Sequence, residues 1–135
     1  MSIEGMSFEP DTGEDLPSRR RAAPRMDLSL PGQFMSTQAN HQCIVTNLSR
    51  TGLLMAIKEP IPIGADGYLR CGPIDHFMPV TRKDRGYSAL EFEIPVTDLF
   101  VFGMRRFQEQ FNDFERSELQ KTAQIWAAGT DTPNR

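Results

Sequence analysis

The sequence predicts a mainly β protein: a six-stranded antiparallel β-barrel with a C-terminal α-helical segment. Three observations carry this reading. Between Met26 and Phe92, about six short apolar runs are separated by turn residues every eight to twelve positions or so, the spacing of an antiparallel barrel or sandwich. Antiparallel strands in that number expose edges unless the sheet closes on itself, which favours a barrel. After Pro95 the apolar period changes from two to near 3.6, the change expected where strands give way to helix.

Each element has its own signal. Met26, Leu28 and Leu30 alternate with Asp27 and Ser29, a period of two. Pro31-Gly32 interrupts the run and marks a bulge or an edge position, after which Phe34 and Met35 continue the strand. Gln38-Ala39-Asn40 predicts a turn. His41 to Leu48 reads as the second strand, with Cys43 and Val45 alternating around Ile44. Asn47 to Gly52 then turns, and Gly52 is expected to supply a backbone conformation that other residues reach only with strain. Gly52 to Ile57 is a short apolar strand, and Pro60, Pro62 and Gly64 mark a loop. Asp66 to Cys71 and Ile74 to Arg82, the second weakened by Pro79, are divided by Gly72-Pro73. Lys83-Asp84-Arg85-Gly86 reads as a hairpin turn into a last strand with Tyr87, Ala89, Leu90 and Phe92. Phe100, Met104, Phe107, Phe111 and Phe114 then recur at i, i+4, i+7, i+11 and i+14, which predicts one helix with a narrow aromatic stripe, capped by Thr97 or Asp98. Ser117 to Ala128, with Leu119, Ile125 and Trp126, is a second helical stretch ended by Gly129. Ile125 and Trp126 lie beyond the stripe and suit either a cover for the barrel or a partner or dimer face.

Bulk properties bound the function. A length of 135 residues fits one domain with tails. The net charge of −3 is uneven: residues 1–17 carry −5 through Glu4, Glu9, Asp11, Glu14 and Asp15, leaving +2 for the rest. That leader, rich in acid, Gly and Pro, is expected to be disordered. Two cysteines, Cys43 and Cys71, make no disulfide framework, and the N-terminus has no secretory apolar stretch, so the expected setting is cytoplasmic with no membrane insertion. His41, Cys43, Cys71 and His76 lack the spacing of a zinc site, so no metal is expected. With two histidines and no nucleophile or metallohydrolase motif, the chain is not expected to be an enzyme. Arg19 to Arg25 form a basic cluster, but the chain is net acidic and no basic aromatic face accompanies it, which argues against nucleic acid as a partner.

Two short motifs carry the functional reading. Arg21-Ala22-Ala23-Pro24-Arg25 is an R-x-x-x-R, and Asn47-Leu48-Ser49-Arg50-Thr51-Gly52 is an N-x-S-x-x-G. Guanidinium forks match both phosphate oxygens and the O6/N7 edge of guanine. On a strand, an amide and a hydroxyl two residues apart point to the same face. Arg21, Arg25 and Ser49 are expected to be largely exposed in the free protein. The set suits an anionic ligand bearing guanine.

In these paired motifs and the β-rich segment after them, the chain resembles the PilZ domain family over roughly residues 18–114. The resemblance implies a bacterial receptor or adaptor domain that binds the second messenger cyclic di-GMP, needs no cofactor, catalyses no reaction and passes the signal to an unidentified protein effector. It implies that Arg21 and Arg25 grip the phosphates and guanine edges, that Arg20 adds a phosphate contact, that Asn47 and Ser49 read the guanine, and that Gly52 shapes the loop. It also implies a C-terminal helix packed on the barrel mouth. The expected organisation is a leader at 1–17, the domain at 18–114, a helical extension at 115–128 and a polar tail at 129–135. The arm from about residue 18 to 25 is expected to order over the ligand. A monomer or weak dimer is expected. A ligand-free adaptor acting through the Phe/Trp helices, and a nucleic-acid-binding barrel, are the alternatives.

Overall fold

Each of the six apolar runs forms a strand in the computed structural model, which describes residues 25–130. The acidic leader, Arg20, Arg21 and the final polar residues lie outside the described residues. The strands are β1 (Met26–Met35), β2 (Asn40–Leu48), β3 (Gly52–Ile57), β4 (Asp66–Cys71), β5 (Ile74–Asp84) and β6 (Tyr87–Glu91). They close as an antiparallel barrel in the order β1-β2-β3-β6-β5-β4, with β4 returning to β1. Alternation sends Leu30, Phe34, Val45, Met55, Leu69 and Met78 inward, where each is fully buried. Burying such a side chain stabilises by roughly 1.5–3 kcal/mol, so this interior dominates the stability of the fold. The β5–β6 hairpin turns through Arg85 and Gly86, both at positive φ (52° and 89°), the conformation a two-residue hairpin loop needs.

The strand ladder decides one local expectation and corrects another. Pro31 pairs in register with Ile44, so no bulge lies there. On its other side β1 meets β4 only from Gln33 to Met35, which leaves Pro31 at an edge position suited to a residue without an N–H. The bulge in β1 comes earlier, between Asp27 and Leu30. Gly52 is not among the residues at positive φ. Its requirement is space: a Cβ there would lie 2.3 Å from the Leu90 carbonyl oxygen, because β3 and β6 approach closely at this point.

β2 and β3 are buried on both faces. Cys43 and Val45, with Met55 and Ile57, face the barrel interior; Ile44 and Ala56 point outward and are covered by Ala123 of the second helix, with Leu119 and Trp126 packed alongside. Trp126 therefore covers the barrel wall, while Ile125 stays exposed.

The aromatic stripe does not form one helix. It divides between α1 (Asp98–Gln108) and α2 (Asp113–Thr130), and α2 runs beyond the predicted limits at both ends, with Gly129 inside it. The break has a local cause. Asn112 Oδ1 accepts from the Glu115 N–H at 2.7 Å and Glu115 Oε1 accepts from the Asn112 N–H at 2.8 Å, a reciprocal capping box that starts a new helix. In α1, capped by Thr97, Met104 is fully buried and Phe100 and Phe107 are half-buried against the barrel core. Phe111 sits in the connection, and Phe114 is 72% exposed. Gln108 ties α1 to the β1 bulge, its Oε1 accepting from the Ser29 N–H (2.7 Å) and its Nε2 donating to the Ser29 carbonyl (3.4 Å).

Burial also makes both thiols inert. It pushes Cys71 up to about 12 and Cys43 well above the ordinary thiol range, Cys71 adding repulsion at Cys43. In the folded protein at pH 8 neither cysteine should react with a thiol reagent, whereas both should after unfolding; rapid labelling of native protein contradicts this. The divided stripe makes a second prediction. Met104→Ala should lower stability by about 2–5 kcal/mol in denaturant titration. Phe114→Ala should stay within about 0.5 kcal/mol of the parent. Equal losses at the two positions contradict the break between α1 and α2.

Candidate functional site

The turn from β2 into β3 is anchored by Leu48, fully buried in the core, and stitched by local hydrogen bonds. The Ser49 N–H donates to the Gly52 carbonyl at 2.8 Å, and the Ser49 hydroxyl donates to the same carbonyl at 3.3 Å. The Thr51 N–H in turn donates to Ser49 Oγ at 3.3 Å. The turn is clamped from outside as well. Phe92 N–H donates to the Thr51 carbonyl (2.9 Å) and Val96 N–H to the Arg50 carbonyl (2.8 Å), while Arg50 Nε donates to the Val96 carbonyl (3.1 Å). The loop is thus fixed against the segment that leads into α1.

A cleft of about 380 Å³ opens beside this turn. Arg25, Asn47, Ser49 and Gly52 all line it, so the structure gathers the second arginine of one motif and the three defined positions of the other. Asn47 stands directly across the ladder from Asp27, and its Nδ2 donates to Asp27 Oδ1 at 3.0 Å. Arg25 is exposed and forms no ion pair among the described residues. Ser49 departs from expectation: it is only 8% exposed and its hydroxyl is engaged in the turn. Ser49 and Asn47 also do not share a strand face. Ser49 lies beyond the strand's end at Leu48, so Asn47 reaches the cleft from β2, just after the bulge at Thr46, and Ser49 from the turn.

Several lining residues escaped the sequence reading. Thr51 belongs to the motif spacing, but Thr81, Arg82, Glu91 and Glu93 come from β5, β6 and the segment after them. β5 carries its own register shift between Val80 and Arg82, so both sides of the cleft are made by bulged strands, devices that re-aim side chains beside sites. Arg82 Nη1 lies 3.9 Å from Asp84 Oδ2, a loose exposed pair worth little. No local signal in the sequence marks Arg82 or Glu91, because only the ladder register brings them to the turn.

The groups that line the cleft are of kinds suited to binding. It offers guanidinium groups for anions, an amide and hydroxyls for directional hydrogen bonds, and carboxylates that accept from N–H donors. Neither histidine lines it. His41 Nδ1 lies 3.1 Å from Glu59 Oε1, and the His76 ring packs edge-on against Phe92 and Phe100. Among the described residues no group of three or more His, Cys, Asp or Glu is arranged to hold a metal ion, and no helix is long and apolar enough to cross a membrane.

No curated protein matches the chain by sequence. The profile of the PilZ domain family matches residues 19–95, more than half of the chain, from just before the arginine motif through all six strands and the turn that lines the cleft. By that match, and by the closed six-stranded barrel, the chain belongs to the PilZ domain family.

Proposed function

We propose that the cleft binds cyclic di-GMP and that the domain relays its level to a protein effector, without catalysing a reaction. The single observation behind this is the convergence of Arg25 from one motif with Asn47, Ser49 and Gly52 from the other on one cleft. Family membership supports the ligand class. In this reading Arg25, with Arg21 and Arg20 preceding it in the chain, takes the phosphates and a guanine edge. Asn47 reads the guanine. Ser49 holds the turn, its hydroxyl already bonded to the Gly52 carbonyl, the Thr51 N–H and Thr51 Oγ1, and would turn to the ligand only by exchanging one of these contacts. Gly52 lets β3 lie against the Leu90 carbonyl and so sets the cleft's floor.

The relay has a physical route. The Arg50–Thr51 backbone is bonded to Phe92 and Val96, immediately before α1. Around that junction Ile94, Leu99 and Phe102 are exposed apolar groups, the kind a protein partner covers. A ligand that pulls on the turn therefore acts on the segment that carries them.

Calorimetry with cyclic di-GMP, cyclic di-AMP and GMP tests the ligand. Cyclic di-GMP should bind most tightly; equal heats for the guanine and adenine dinucleotides reject the role of Asn47. A charge-assisted hydrogen bond is worth roughly 1.5–3 kcal/mol, so Arg25→Ala should weaken binding by roughly ten- to hundredfold. Arg25 is exposed and unpaired among the described residues, so the variant's melting temperature without ligand should barely change. If Arg25→Ala unfolds the protein, or binds as the parent does, the arginine is not a ligand contact.

A further inference from the structure

An asparagine amide is nearly symmetric in shape but opposite in polarity at its two ends, so what Asn47 reads depends on which end faces the ligand. Its neighbour decides this. Asp27 is its direct partner across the β1–β2 ladder, with Oδ1 at 3.0 Å from Asn47 Nδ2. A carboxylate only accepts hydrogen bonds, so this contact is satisfied in one orientation alone: NH2 towards Asp27, carbonyl Oδ1 turned away from it. Asp27 itself does not line the cleft that holds Arg25, Asn47 and Ser49. It borders the adjoining hollow with Ser29, Thr46 and Gln108. Its hydrogen bond to the cleft is therefore made through Asn47.

We propose that Asp27 is a positioning residue that locks the Asn47 amide with its carbonyl acceptor, rather than its NH2 group, presented to the ligand, and so sets the preference for guanine over adenine. The proposal rests on the reading of the cleft as a cyclic dinucleotide site. Guanine offers adjacent N–H donors at N1 and N2, which a carbonyl oxygen accepts. Adenine has an acceptor at N1, which faces that oxygen unpaired, and an unpaired polar contact is what separates close analogues. The same contact dictates the residue type at position 47. A carboxylate there stands against the Asp27 carboxylate and the two repel. The amide at 47 and the acid at 27 are therefore a matched pair. Exchanging them preserves the logic: an amide at position 27 donates to one oxygen of a carboxylate at position 47, and the other oxygen still faces the ligand.

The test uses the full chain and four proteins: the parent, Asp27→Ala, Asn47→Asp, and the double variant Asp27→Asn with Asn47→Asp. Each is titrated calorimetrically with cyclic di-GMP and cyclic di-AMP, and its melting temperature is recorded. Asp27→Ala should lose about tenfold in guanine-over-adenine preference while melting as the parent does, since Asp27 is exposed. Asn47→Asp should lose about tenfold in affinity for cyclic di-GMP, and the double variant should recover most of it. An unchanged preference in Asp27→Ala, or a double variant no better than Asn47→Asp, overturns the proposal. If the parent binds neither dinucleotide, the reading of the cleft fails, and the positioning role is decided without ligand. The Asn47 side-chain NH2 resonances of the free protein should move to the values of a solvated asparagine in Asp27→Ala; resonances that stay where they are overturn it.

Discussion

The burial of β2 and β3 on both faces is the constraint on which the rest depends. Cys43-Ile44-Val45 and Met55-Ala56-Ile57 are continuous apolar triplets, so no rotation of either strand leaves a face fit for water. The barrel interior takes the odd-numbered members and α2 must take Ile44 and Ala56. A barrel of this size can fold with its outer wall wet; this one cannot at β2 and β3. That explains why α2 lies flat on the wall through the small residues Ala123 and Ala127, which allow close approach, and why Thr130 Oγ1 is bonded to the Gly86 carbonyl (2.7 Å) at the far hairpin. The helix is part of the wall rather than an appendage.

The site begins where that constraint ends. Val45 is the last residue of the doubly buried run. At Thr46 the ladders of β2 with both β1 and β3 slip, and the polar residues Asn47 and Ser49 follow. The irregular backbone is therefore hung from a rigid wall on one side and pinned by Leu48 in the core on the other. Such support holds side chains in place before a ligand arrives, which reduces the ordering cost of binding. Ser49, engaged with the Gly52 carbonyl and the Thr51 N–H, belongs to that support.

Much of this was legible in the sequence, for physical reasons that differ by element. Strand runs and their turns are local: period-two alternation, the Arg85-Gly86 turn and the prolines lie within a few residues of what they determine. The break between α1 and α2 was equally local, in the capping pair Asn112 and Glu115, but the aromatic stripe runs straight through it and masks the signal. What could not be read was whatever depends on register. The bulge at Leu28–Ser29, matched by the side chain of Gln108 from α1, requires knowing which residue faces which. The need for glycine at position 52 is set by a carbonyl nearly forty residues away, not by its own φ. At the site, Arg25, Asn47 and Ser49 were legible because each carries its chemistry in its own side chain. Arg82, Glu91 and Asp27 were not, since only the strand register brings each of them to the turn or to Asn47.

The two helices differ in how they can respond to the cleft. α2 is joined to the barrel by its own apolar cluster on the wall, and the residues that line the cleft belong to neither that cluster nor the helix. α1 is connected directly. Its N-cap Thr97 follows Val96, whose N–H and carbonyl are both bonded to Arg50 in the turn, and Arg50 Nε also approaches Asp98 Oδ1 at 3.7 Å. A single backbone hydrogen bond contributes about 1 kcal/mol net, which is enough to shift an equilibrium severalfold when a turn residue moves. Met104 holds the middle of α1 in the core, so a pull at Val96 is felt chiefly in the first turn, where Leu99 and Phe102 stand in solvent. On the function proposed above, a signal raised in the cleft would emerge on the Ile94–Phe102 surface rather than at Ile125 on α2, because the first of these lies on the segment hydrogen-bonded to the turn and the second lies on the helix held by the wall.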